Sequence, residues 1–171
     1  MLKHLSILAL AIMVARIDCI KNDAAINVTT PEKYKTAPID QDYSQIQDPK
    51  DRWDAYALKN YMIVQRLSCF CPHRGPFKVF VVDNELKEVL DIETEKYYSK
   101  EFASNNRILS VEDLFNLANS INPDSVAHFL IEYDSKYGFP NLISIDYDSL
   151  IIDEEIAFFT DSIERIVEIN E

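Results

Sequence analysis

Glycine is nearly missing from this 171-residue chain: it has 2, where average usage would supply about a dozen. Neither a G-x-G-x-x-G turn nor a G-x-x-x-x-G-K-[ST] loop can be built from two glycines, which excludes the common nucleotide-phosphate cradles. Cationic charge is also scarce, with 17 Lys and Arg against 29 Asp and Glu and a net charge of −12. Such a surface repels phosphate backbones, so nucleic acid is not an expected partner. The sequence contains no G-x-S-x-G and no H-E-x-x-H. The histidines outside the first turn of sequence, His73 and His128, do not complete a Ser/His/Asp set. What remains, 47% apolar and 11% aromatic residues, is the composition of a folded domain of ordinary size.

The longest apolar run stands at the start. Lys3-His4 gives a short basic beginning, and residues 5–15 are apolar except for Ser6. This is the length of a signal-peptide core and too short for a bilayer-spanning helix, which needs about 20 apolar residues. Residues 1–19 are therefore read as an export signal. Cys19 closes it as a candidate lipidation site, although Arg16 and Asp18 depart from the small residues of a lipobox, and cleavage near Ala15 is the alternative. Export would place Cys69 and Cys71 in an oxidising compartment as an even pair. Residues 20–47 are polar, contain Pro31 and Pro38 and show no apolar period, so they read as a flexible tether.

Residues 48–171 read as a single α+β domain. Asp48-Pro49 is a helix start, followed at helical spacing by Trp53, Tyr56, Ala57 and Tyr61. Strands are expected over 61–71, 77–82 and 87–93, with Leu86, Leu90 and Ile92 on one face of the third. Residues 94–109 read as irregular. Ser110 and Asp113 form a capping box for a second helix striped by Leu114, Leu117, Ala118 and Ile121 and stopped at Asn122-Pro123. Strands over 126–133 and 141–147 flank a turn, and 156–169 fits helix or strand equally. The expected architecture is an antiparallel sheet of about six strands in meander order with two helices packed on one face.

Three groups of residues carry chemistry. Cys69-Phe70-Cys71 puts two thiols on the same side of an extended chain, at the upper edge of disulfide reach, so bonding needs a kink such as Pro72 provides. A local clip, a redox pair, free thiols, and a metal site formed with His73 all remain open readings. Asp146, Asp148, Asp153, Glu154 and Glu155 form an acidic cluster without the order of an EF-hand loop, and read as solvated surface. Tyr137-Gly138-Phe139-Pro140 joins two strands; it reads as a turn in which Gly138 supplies a positive φ, or as a binding edge.

The run Trp53, Tyr61, Ser68-Cys69-Phe70-Cys71-Pro72, Leu114-Phe115, Tyr133-Asp134, Tyr137-Gly138-Phe139-Pro140, Ile143, Ile145-Asp146 and Asp153-Glu154-Glu155 resembles a family of bacterial secreted proteins and lipoproteins known only as a domain of unknown function. The resemblance covers about residues 52–166. It implies an exported single domain with a strand at 156–169, and it implies no activity. Phe139 stands where such proteins often carry tyrosine, and His73 has no counterpart in the pattern. The sequence thus leads to an exported, membrane-tethered, monomeric domain that binds an envelope protein or ligand, or gives structural support, without a cofactor. Thiol redox or metal handling through Cys69 and Cys71 is the alternative.

Overall fold

The computed structural model describes residues 33–170. The expected leader with Cys19, and tether residues 20–32, lie outside the described residues. Eight antiparallel strands form one open sheet: β1 (Tyr34–Ala37), β2 (Tyr61–Ser68), β3 (Phe77–Val82), β4 (Glu85–Asp91), β5 (Lys96–Ser99), β6 (His128–Tyr133), β7 (Pro140–Asp146) and β8 (Ile156–Ile169). Three helices accompany it: α1 (Pro49–Ala55), α2 (Lys100–Asn105) and α3 (Val111–Ser120). Among the described residues no helix is long and apolar enough to cross a membrane.

The α+β class is as expected, but the order is not one meander. The strands run β5-β4-β3-β2-β8-β7-β6, so two meanders, β2 to β5 and β6 to β8, are zipped together by β8 lying against β2. The other edge of β8 is shared: β7 pairs with its beginning and β1 with its end. Local turn chemistry specifies each meander, as at Asp83-Asn84, where both residues have positive φ in a tight hairpin. The β2 to β8 pairing joins residues such as Leu67 and Phe158, far apart in sequence, and no local signal encodes it. The ambiguity at 156–169 resolves as a strand of 14 residues.

Several boundaries also differ. The strand expected to reach Cys71 ends at Ser68, where the backbone bends into the cysteine loop. In β4 the register shifts opposite Phe80 and Val81, which changes the side-chain parity, so Leu86 and Val89 face the core instead of Leu86, Leu90 and Ile92. Residues 94–109 contain β5 and α2, the latter capped by Ser99. Part of the expected tether joins the fold: Tyr34 lies in β1, and Tyr34 and Ile39 are buried. Tyr61 belongs to β2, because the first helix stops at Ala55 and Ala57 takes a positive φ.

The main core lies between the sheet and the helices, built from Trp53, Tyr61, Ile63, Phe77, Val79, Val81, Leu114, Phe139, Ile143 and Phe158 among others. The helices are pinned to it by polar contacts. The capping box forms, with Asp113 N donating to Ser110 Oγ. Val111 N donates to the Tyr61 hydroxyl at 3.1 Å, and burial holds that phenol above its ordinary pKa. Trp53 Nε1 donates to Glu112 Oε1 at 2.8 Å, tying α1 to α3. The opposite sheet face carries a smaller cluster of Tyr34, Met62, Phe80 and Ile166.

Candidate functional site

The two glycine turns stand at opposite ends of the sheet. At one end, the connection from β6 to β7 is packed against α1. Arg52 Nε donates to Ile46 O at 2.8 Å, and its other nitrogens donate to the carbonyls of Gln47, Asp134 and Ser135. The Tyr56 hydroxyl donates to Lys136 O at 3.0 Å, and Asp134 Oδ1 accepts from the backbone N–H groups of Lys136 and Tyr137. Gly138 has φ +86°, and a Cβ there would collide with the Pro49 carbonyl. Gly138, Phe139 and Pro140 are buried and Tyr137 leans on Tyr56. The turn considered as a binding edge is thus occupied by contacts that hold α1 in place.

The other end is open. The cysteine loop following β2, the end of α2 and the connection from β7 to β8 surround a cleft of about 500 Å³. Its walls are Cys69, Phe70, Cys71 and Pro72, then Asn105, Asn106 and Arg107, then Tyr147 and residues 153–156. Gln65, fully buried on β2, fixes one wall: its amide donates to Leu109 O and accepts from Leu109 N. The cysteine loop is closed by Leu67 N donating to Arg74 O at 2.7 Å and by Arg74 Nε donating to Cys71 O at 3.1 Å.

Cys69 and Cys71 are joined as a disulfide with Cα atoms 5.3 Å apart, closer than two residues of a straight strand, because the bend after Ser68 supplies the kink. His73 does not join them. Its ring meets Phe102 edge-on at 4.9 Å and lies near Tyr98. With the thiols bonded to each other and the imidazole among aromatic rings, the metal set of Cys69, Cys71 and His73 is not assembled. Among the described residues no group of three or more His, Cys, Asp or Glu is placed to hold a metal ion.

The acidic cluster is divided by the fold. Asp146 lies on β7 opposite His128, whereas Asp148 and Glu154 organise the loop: Asp148 Oδ1 accepts from Leu150 N, and Glu154 Oε1 accepts from Asp148 N. Asp153, at φ 72°, and Glu155 line the cleft and a shallower groove beside it that is shared with Arg74.

Sequence reasoning missed the apolar rim. Leu150 and Ile152 are 90% and 86% exposed, Phe70 is 79% exposed, and Tyr147 and Ile151 are also exposed. Phe70 and Tyr147 line the cleft itself, and Leu150, Ile151 and Ile152 lie in the β7 to β8 connection that supplies one of its walls. Single exposed apolar residues are ordinary, but a group of five is not. The available signal was the triplet Leu150-Ile151-Ile152, set between Asp148 and Asp153 and belonging to no periodic element. Asn105, Asn106 and Arg107 were missed because α2 itself was read as irregular.

No curated protein and no solved structure matches this chain. The sequence match that exists spans residues 45–165, which includes both motif turns and every wall of the cleft: the chain belongs to the Family of unknown function (DUF6174).

Proposed function

We propose that this protein is an exported binding module, tethered to a membrane through Cys19, that engages a partner in the cell envelope through the cleft beside the cysteine loop. The observation that carries the reading is the exposure of Phe70 in the wall of a cleft of about 500 Å³, together with that of Leu150 and Ile152 in the connection that forms another of its walls. Keeping large apolar side chains in water costs about 1.5–3 kcal/mol each relative to burying them, and a partner surface would recover that. The disulfide serves the same end, because clipping Cys69 to Cys71 presents Phe70 on a stiff turn and lowers the entropy lost on binding.

Two experiments test this reading. Retrieval from the native envelope with the purified protein as bait is expected to yield a partner that Phe70→Ser and Ile152→Ser each release; retention by both variants would exclude the cleft. Cys19→Ala is expected to move the protein from the membrane to the soluble fraction, and unchanged fractionation would exclude the lipid anchor.

The position of the disulfide in the cleft wall favours a second reading, thiol-disulfide exchange. An incoming dithiol would be oxidised while Cys69 and Cys71 take up two electrons and two protons. Reversible reduction near the poise of the compartment supports exchange. A bond that resists reduction, with Cys69→Ser lowering only the melting temperature, removes it.

A further inference from the structure

The two strands that end the order β5-β4-β3-β2-β8-β7-β6 are built differently. β5 is four residues long, carries Lys96 and runs directly into α2. These features blunt an edge against strand pairing. β6 has none of them: its six residues, His128-Phe129-Leu130-Ile131-Glu132-Tyr133, include no lysine and no proline, and among the described residues it pairs only with β7. Its pairing is regular from His128 to Glu132, with the only irregularity after Glu132. Phe129 and Leu130 are 44% and 49% exposed. A regular, apolar edge of this kind offers a row of backbone donors and acceptors to another strand.

We propose that β6 pairs antiparallel with β6 of a second copy of this chain, joining two sheets across a two-fold axis at Leu130. The strand's own sequence selects this occupant. Residues opposite one another in an antiparallel pair point to the same face, so a two-fold pairing of identical strands must be centred on a residue. Centring on Ile131 sets Leu130 against Glu132, and centring on Phe129 sets Leu130 against His128. Centring on Glu132 brings two like charges together. Of these four centres only Leu130 sets apolar against apolar and polar against polar: Leu130 on Leu130, Phe129 on Ile131 and His128 on Glu132, over the five residues whose pairing is regular. Such a contact is isologous and closes on itself as a dimer. It does not depend on the cleft reading, since the edge can pair whether or not the cleft binds anything.

Sedimentation velocity over a range of protein concentrations tests the proposal. The wild type is expected to shift from monomer to dimer as concentration rises. Leu130→Lys, which places two ammonium groups on the axis, should remain monomeric at every concentration, and, the position being half exposed, should match the melting temperature of the wild type at concentrations where the wild type is also monomeric. Oxidation of Leu130→Cys should give a disulfide-linked dimer well above the wild-type background, whereas Glu132→Cys, displaced from the axis in both copies, should not. A wild type that stays monomeric throughout, or a dimer that survives Leu130→Lys, overturns the proposal and leaves the edge to a strand of another protein or to none. Cross-linking through Glu132→Cys but not Leu130→Cys overturns the register.

Discussion

The ends of the sheet carry the two motifs most conspicuous in the sequence, each with one of the two glycines, and they use them in contrasting ways. At the Gly138 end the turn is held internally: Arg52 supports four carbonyls, Tyr56 a fifth, and the glycine leaves room for the Pro49 carbonyl. At the Gly75 end the backbone is equally constrained, with φ +82° and a would-be Cβ 2.9 Å from Gln65 O and Phe77 N, but the side chains it presents face water. The side chains of Phe70, Leu150 and Ile152 lie largely in water. A demanding backbone is therefore no guide to function by itself; what separates the two ends is whether the side chains held there are already spent.

That contrast orders the effects expected of substitution. Gly138→Ala should be the most damaging, costing about 3 kcal/mol through the collision with Pro49 and the positive φ; a melting temperature close to wild type would mean that the turn can yield and is not a fixed support for α1. Arg52→Met, which leaves several carbonyls without their charged donor, should cost about 2 kcal/mol in a denaturant titration. Cys69→Ser should lose about 1.5 kcal/mol, since the loop closed by the disulfide is very short and the unfolded chain is only slightly restrained by it. Phe70→Ser together with Ile152→Ser should change stability by less than about 0.5 kcal/mol while abolishing partner retention. Should that double variant melt far below wild type, the rim would be structural and the contrast between the ends would collapse.

Much of this layout was legible in advance, and the particular failures share a cause. Asp48-Pro49, the Ser110 and Asp113 box and the strand Phe77–Val82 were readable because their determinants are local: a cap, a proline, an alternation. The placement of β8 in the middle of the sheet was not, since it depends on pairing with β2 across most of the domain. β1 and β5, four residues each, are strands because a neighbouring strand offers them partners, and their own sequences are too short to show a period. The disulfide pair and the Gly138 turn were visible as motifs. Their surroundings were not, because α1 fills one end of the sheet while Leu150, Ile151 and Ile152 stay exposed in the connection at the other. An apolar triplet in a loop looks the same in sequence whether it folds inward or stays in water; the exposure of its side chains decides.

The central claim is that the cleft end meets a partner while the opposite end only holds the fold. It is tested most directly by placing a photo-cross-linking amino acid at Phe70, at Ile152 and, as the opposite-end control, at Asn84, then irradiating cells that produce the protein. The account predicts a discrete adduct of the same mass from Phe70 and Ile152 and none from Asn84. Adducts at Asn84 alone, or the same adducts from all three positions, would contradict it.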